Sequence, residues 1–418
     1  MRQYKCRAGE TLESASIANY GSKDFQALIS SANINLASPL SEGVVLNIPD
    51  KPGAIDTASD SIVGVTDDQV TLAIDGQIFK YWTDISLTKS ISACSAFDFQ
   101  SLFDPANADM RETFRPMKYK PVKIYLGKKK IFTGTLVDVL PNMDSTTTIS
   151  ASGYSKPGVL GDCCTPYSVY PLEFNAMRLN EIAKAVCKPF GIDVIFLAPV
   201  GAPLDPVLMN EYQRIDPKED EVILGYLSGL AKQRNQVISD NAAGALVFQQ
   251  PVKPGNPVAR LSEGQSPLLS VSPALTPQQF FSHITGLGEV DVVEQGESFT
   301  VVNKKIPAGV LRPHTFTANQ ADDVTLSASV KYKTGLMFGA CIGYSVSVDT
   351  WYDQNGNEWN PNTTITLKAP SAMIYREYEF LIADVTMKKT SDRQTADLTL
   401  VLPEAFSPTT PKVLPWDE

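Results

Sequence analysis

Apolar and polar residues alternate with a period of two over most of this chain, and the exceptions divide it. Val70, Leu72 and Ile74 share one face, Asp75-Gly76 follows, and alternation resumes at Ile78. The pattern predicts a β-hairpin, because Asp-Gly readily adopts the positive φ angles of a tight turn. Val122, Ile124 and Leu126 then alternate into Gly127-Lys128, followed by Ile131, Phe132, residues 136–140 and residues 147–153. This reads as a β-meander with its lysines on a solvated face. Strand character returns from Arg260 onward. Phe380, Ile382, Val385 and Met387 lead into a turn, and Leu398 and Leu400 come back.

Elsewhere the period lengthens to that of a helix. Met177, Leu179, Ile182, Ala183 and Val186 form one stripe, stopped by Pro189 and Gly191 before a strand over 192–196. Val222, Leu224, Tyr226, Leu227 and Leu230 form another. Glu219, Asp220 and Glu221 stand at its positive end, and Lys232 and Arg234 at its negative end. Two strands then flank a turn at 240–244. Residues 322–348 predict a helix followed by a strand. At the N-terminus, Thr11 caps a helix with Leu12, Ala15 and Ser16 on one face, ended by Tyr20-Gly21. A second helix over 25–33 turns Leu28, Ile29 and Ala32 inward, and short strands flank the pair. The fold class is α+β, mainly β. The expected units are 1–50, a Pro/Gly/Ser-rich linker 51–66, a β-domain 67–170, an α+β domain 171–259, a second β-region 260–408 and a tail 409–418.

Composition narrows the function more than the fold. With 418 residues, 43% hydrophobic and 20% charged, the chain can bury several cores. A formal net charge of −10 argues against nucleic-acid binding as the main role, since phosphate contacts need a basic surface. Cys6, Cys94, Cys163, Cys164, Cys187 and Cys341 make no C-x-x-C pair, so no metal site is expected, and they read as small buried residues from a reducing compartment. No signal peptide and no membrane span are expected; the apolar run 335–348 is too short and interrupted. His283 and His314 stand apart from any nucleophile, metalloprotease or phosphate-loop motif. No catalytic residue, cofactor or metal is expected.

Residues 351–362, "WYDQNGNEWNPN", are the most distinctive stretch. A calcium loop needs its glycine sixth and a glutamate twelfth, and Asp353, Asn355, Asn357 and Glu358 do not keep that spacing around Gly356. Asn355-Gly356 is instead a turn signal. The expectation is a hairpin whose Trp351 and Trp359 pack against the end of a β-barrel or a neighbouring subunit.

Two resemblances follow from these segments. The order "GETL", "YG", "ANINL", "NIP" in residues 9–49 resembles a LysM module, in particular that of the small phage tail proteins of the tail protein X type, with Ala15 and Ser16 where that family has Ile-Ala. The resemblance implies a glycan groove or adaptor contact at Gly9, Glu10, Thr11 and Leu12. The second covers 68–408: the Gly134 hairpin within 131–139; Gly153, Ser155, Leu160, Asp162 and Cys163; and the Trp351 to Asn362 segment. In this order they resemble the baseplate hubs of contractile phage tails, the late control protein D and Mu-like type. An N-terminal LysM-like module departs from that family's usual pattern.

The hub resemblance implies a homotrimer with two tail-tube-like β-barrel domains per chain around the α+β insert. It implies contacts with the tail tube protein, a central spike protein, other baseplate proteins and the tape measure. It implies a virion location, in the tail baseplate, with assembly in the host cytoplasm. The leading expectation is therefore a non-enzymatic hub acting in tail assembly and genome delivery. The alternatives are a LysM-targeted protein that binds or degrades peptidoglycan through residues 1–50, and the hub of a phage-derived contractile injection system.

Overall fold

The structure, a computed structural model, describes residues 2–7, 9–20, 23, 29, 33, 40, 43–48, 69–79, 82–144, 146–199, 203–212, 217–288, 297–317, 326–390, 392–406 and 413–417. It divides into two compact units: Met1–Ile78 with Tyr125–Lys129, and Phe79–Ile124 with Lys130–Glu418.

In the first unit, β1 (Arg2–Lys5) and α1 (Leu12–Tyr20) precede β2 (Val45–Ile48), which pairs antiparallel with β1. Cys6, Ala15, Ile29, Leu40 and Leu46 form a small buried cluster, flanked by Tyr4, Leu12 and Val44. Ala15 and Ser16 are buried on the expected helix face. Most of the expected second helix, over 25–33, and the whole linker 51–66 lie outside the described residues. The predicted hairpin is β3 (Val70–Ile74) and β4 (Gln77–Phe79), joined through Asp75 at φ 49° and Gly76 at φ 79°. Every residue of β3 is buried, so the face opposite Val70, Leu72 and Ile74 is covered as well.

In the second unit the chain runs through β5 (Trp82–Ser90), β6 (Ala96–Leu102), α2 (Ala108–Thr113), β7 (Pro121–Leu126), β8 (Lys129–Met143) and β9 (Thr147–Ser155). The α+β segment holds α3 (Leu179–Cys187), β10 (Val194–Leu197), α4 (Ile223–Gln233), β11 (Val237–Asp240) and β12 (Leu246–Gln249). β12 is the central strand, parallel to β10 and antiparallel to β11.

The helical stripes need two corrections. Met177 lies outside α3, in an isolated bridge to Tyr212. Val222 is the N-cap of α4, so the buried stripe is Ile223, Tyr226, Leu227, Leu230 and Ala231. The charged ends stand where expected: Glu221, which accepts a hydrogen bond from the Lys218 amide, precedes the N-cap, and Lys232 and Arg234 close the helix, Arg234 buried with its guanidinium 4.4 Å from the Tyr212 ring centre.

The chain continues with β13 (Ala259–Ser262), β14 (Leu268–Leu275), β15 (His283–Leu287), β16 (Ser298–Val302), β17 (Pro313–Thr317), α5 (Leu326–Cys341) and β18 (Ile342–Val348). It ends with β19 (Thr364–Ala369), β20 (Ile374–Thr390) and β21 (Gln394–Val401). The helix and strand expected over 322–348 are α5 and β18. What was not expected is that α5 carries its own sheet, β16-β15-β17, over Ile284, Leu326, Val330 and Met337.

The large sheet contains a repeat. Its order β5-β6-β9-β8-β7 recurs as β14-β18-β21-β20-β19. Corresponding rows read Leu87, Phe97, Gly153, Leu136 in the first and Pro273, Tyr344, Leu400, Ile382 in the second. Register shifts also coincide, at Trp82/Asp84 and Leu136/Asp138 against Leu268/Ser270 and Ile382/Asp384. The two copies are joined edge to edge by β20 and β5, antiparallel from Asp384 opposite Ser90 to Thr390 opposite Asp84.

Close strand approach explains two residues of the hub-like motifs. A Cβ on Gly134 would lie 2.2 Å from the Tyr154 carbonyl oxygen, and one on Gly153 would lie 1.9 Å from that of Thr135. Both contacts are with backbone, which cannot rotate aside. Gly134→Ala is therefore expected to destabilise the protein by about 1–3 kcal/mol through overpacking. Chemical denaturation measures this; an unchanged midpoint would show that β8 and β9 have room to spare.

Candidate functional site

The four residues expected at the N-terminal turn do come together. Gly9 adopts φ 80° and is exposed, which lets the chain reverse between β1 and α1. Glu10 accepts hydrogen bonds from the Tyr4 hydroxyl at 2.8 Å and the Arg7 amide at 2.9 Å. The Arg7 amide, followed by the Tyr4 hydroxyl, holds its carboxyl below the usual glutamate range. Thr11 and Ser14 cap reciprocally: the Ser14 amide donates to Thr11 Oγ1 at 3.2 Å, and the Thr11 amide to Ser14 Oγ at 2.9 Å. Leu12 packs against the buried cluster. The polar side chains of this turn hold its own backbone, and Gly9 and Thr11 are exposed.

The stretch 351–362 folds as a hairpin loop. Trp359 donates its amide to the Trp351 carbonyl at 2.9 Å, and Asp353 donates its own to Asn357 O at 2.7 Å. Asp353 Oδ1 accepts from the amides of Asn355 and Asn357, both at 2.8 Å. Of the Asn355-Gly356 pair only Gly356, at φ 77°, is left-handed, so the turn is a type I turn with a glycine bulge rather than a two-residue Asn-Gly turn. Trp351 and Trp359 are each only 1% exposed in the single chain, so neither indole offers area to a neighbouring subunit. Trp351 Nε1 donates to the Thr395 carbonyl at 2.8 Å and that of Lys388 at 3.2 Å, across β20 and β21. Trp359 Nε1 donates to Thr350 O at 3.0 Å.

The loop's polar side chains fasten three other segments. Gln354 accepts from the Arg260 amide at 3.0 Å and donates to its carbonyl at 2.9 Å, pairing with β13 as a strand would. Glu358 lies 3.3 Å from the Lys89 ammonium on β5, and Asn360 lies 3.2 Å from it. Asn362 accepts from the Val252 amide at 2.8 Å and donates to Gln250 O at 2.9 Å, where the chain leaves the α+β segment. The carboxylates of this loop are thus engaged by amides and a lysine. The partners of Lys89, Gln354 and Asn362 were not legible in the sequence, because each acts on backbone or charge remote from it.

A third feature is a surface. Thr395, Lys388, Ser86, Asp98, Ser152 and Asp138 follow one another across six strands, and Ser347, Asp397, Thr386 and Thr88 form the next row. Lys388 pairs with Asp397 at 2.7 Å, and the Thr88 and Thr386 hydroxyls are 3.1 Å apart. The opposite face buries Phe97, Phe99, Val385, Met387, Leu398 and Leu400. One side of the sheet is thus a core wall, and the other is a field of hydroxyls and carboxylates.

Among the described residues no group of three or more His, Cys, Asp or Glu side chains could hold a metal ion. His283 Nδ1 lies 2.9 Å from Ser282 Oγ, and His314 stacks on Phe281 with ring centres 4.7 Å apart. Cys6, Cys187 and Cys341 are buried as expected, but Cys94, Cys163 and Cys164 are half-buried. Burial pushes the Cys94 and Cys187 thiols up to about 12, which makes them poor nucleophiles.

Comparisons with known proteins agree with this architecture. The family description "Baseplate hub protein gp44-like, second domain" matches residues 157–250. Over 331 residues the chain is 24% identical to baseplate hub protein gp44 of Escherichia phage Mu, covering 76% of this chain and 83% of that protein. The 43 kDa tail protein of prophage MuSo2 from Shewanella oneidensis superimposes with a TM-score of 0.67 at 26% identity, over 81% of this chain and 99% of its own. A tail protein from Neisseria meningitidis shares the fold, with a TM-score of 0.67 at 16% identity, over 81% and 98%.

The Lys89–Glu358 pair yields a stability test, since its side chains are only 15% and 5% exposed. Lys89→Met strands a buried carboxylate and is expected to cost about 3–5 kcal/mol, most of it recovered by adding Glu358→Leu. Denaturation of the single and double variants decides it; an innocuous Lys89→Met would show that the loop does not depend on this pair.

Proposed function

The chain belongs to the Mu gp44-like family of baseplate hub proteins, and from that premise we propose that three copies form a ring joining a six-fold tail tube to a three-fold central spike. It is a structural component of the phage tail. The observation that carries the ring is the repeat: one chain holds two copies of the same strand order, already joined edge to edge. Three such chains present six similar modules to a tube while keeping three-fold symmetry toward a spike. Closed rotation is also what limits growth of a head-to-tail assembly.

In this reading 67–170 and 260–408 are the tube-like β-barrel domains, 171–259 is the α+β domain set between them, and 409–418 is a partner-contacting tail. The Ser/Thr/Asp face of the sheet suits the lining of the passage. Carboxylates and hydroxyls predominate there and Lys388 is paired with Asp397, so the face holds a passing polyphosphate only weakly. The role is non-enzymatic, with assembly in the host cytoplasm and contacts to tube, spike, other baseplate proteins and tape measure.

Residues 1–50 are a LysM-like adaptor in the same proposal, supported by the β1–β2 pair, α1 and the self-bonded turn at Gly9, Glu10, Thr11 and Leu12. Its contacts are tail proteins rather than peptidoglycan.

Size-exclusion chromatography with light scattering should give three times the chain mass of 45.5 kDa. The full-length protein should also stay in the supernatant with insoluble peptidoglycan. A strictly monomeric protein absent from purified tails would end the hub reading, and strong sedimentation with peptidoglycan would turn residues 1–50 into a wall-binding module.

A further inference from the structure

The second sheet module carries an insert that the first lacks. β5 and β6 are joined by residues 91–95, whereas their counterparts β14 and β18 are joined by residues 276–341, which hold β15, β16, β17 and α5. The repeat therefore does not fix where this insert sits. Packing fixes its base. α5 runs directly into β18, and a Cβ on Gly339 would lie 2.1 Å from that of Ala405, so the helix lies directly on residues 403–406. The Phe280 ring meets Phe338 edge-on at 4.7 Å, and Arg312 donates to the carbonyls of Phe280, Pro277 and Gln278.

A thinner contact ties the connection between β16 and β17 to the sheet. Lys305 Nζ lies 3.6 Å from Asp417 Oδ2, with side chains 26% and 41% exposed. Residues 414–417 form a β-turn: Asp417 donates its amide to Leu414 O at 3.0 Å, and Pro415 stands where proline presets the backbone. Asp417 Oδ2 also accepts from the Leu414 amide at 2.7 Å, so the turn is closed twice by its own groups. Leu414 and Pro415 are buried, and Tyr378 on β20 donates its hydroxyl to Val413 O at 3.0 Å. One short turn thus bridges the insert and β20.

Beside this bridge is a pocket of about 350 Å³, walled by Leu275, Phe280, Cys341, Ile342, Met373 and Trp416. Trp416 is the wall that the turn supplies, and it is half-buried. Cys341 is 3% exposed, and its Sγ donates to Met337 O at 3.1 Å. Burial raises its thiol above the usual range, against smaller opposing effects of the Gln279 backbone and Arg312. It is therefore shielded while the turn stays in place.

We propose that residues 413–417 are a latch: closed, they clamp the insert to β20 and wall the pocket; released as a unit, they uncover Cys341 while the sheet stays folded. The turn is built for such release. Its internal hydrogen bonds persist when it lifts, and it gives up the Lys305 pair, the Tyr378 bond and the burial of Leu414 and Pro415. The half-exposed ion pair is also open to screening by salt. The tail proposed above to contact a partner is, in the single chain, engaged by its own fold.

Labelling of the full-length chain with N-ethylmaleimide tests the latch, with peptide mass spectrometry reading Cys341 apart from the other cysteines. Asp417→Asn keeps an oxygen for the Leu414 amide but ends the ion pair, and should speed labelling of Cys341 about two- to fivefold. Sodium chloride should speed it in the unsubstituted chain and leave Asp417→Asn unaffected. Tyr378→Phe, which removes the bond to Val413, should act like Asp417→Asn. Trp416→Ala removes the wall itself and should give the fastest labelling. Cys187, fully buried beside α4 and its sheet, should stay protected in every variant. A Cys341 still shielded in Trp416→Ala, a rate unmoved by Asp417→Asn, or an equal salt response in both proteins would overturn the latch. So would a Cys187 that reacts in step with Cys341, because the whole chain would then be opening.

Discussion

The structure depends on one pairing, that of β20 with β5. These strands lie almost three hundred residues apart in sequence, yet their antiparallel ladder makes two sheet modules into one surface. A ladder of this kind is stiff along the sheet and intolerant of a one-residue slip, because a slip would turn every buried side chain outward. Val385 and Met387 would then face solvent, and Thr386 and Lys388 would face the core. The loop 351–362 guards the same register: its Glu358 holds Lys89 at the end of β5, and its Trp351 closes the end of the β20–β21 ladder.

A hub must carry load between parts of different symmetry while leaving an open path through its centre. Loops could link two modules but would let them hinge. A shared sheet fixes them, and it also provides a continuous polar face beside a continuous core. Among the described residues the thiols that burial raises, the stacked imidazole and the self-bonded carboxylates are packing groups.

Much of the element order was legible from periodicity, and the motif letters had physical causes that the structure supplies. Gly134 and Gly153 are where two backbones approach too closely for a side chain. The turn at 351–362 was legible from its composition, but its attachments were not. Gln354 and Asn362 bind main-chain groups of distant segments, and no local pattern encodes a carbonyl's address. Periodicity put Val70, Leu72 and Ile74 on one face of β3 but did not reveal that Thr71 and Ala73 are buried too. It also set α4 one residue early, because an apolar Val222 can serve as a cap when the main chain around Cys163 and Cys164 secures the helix start. Strand partnership was least legible of all: alternation says which face is buried and nothing about which strand lies alongside.

The central proposal is that the two sheet modules of each chain take successive places in a ring of three chains. An electron cryomicroscopy map of the baseplate within purified tails, sharp enough to trace strands, tests it most directly. The account predicts six similar modules around the axis, two from each of three chains. A ring that contains one module from each chain, or a chain that stands there singly, would contradict it.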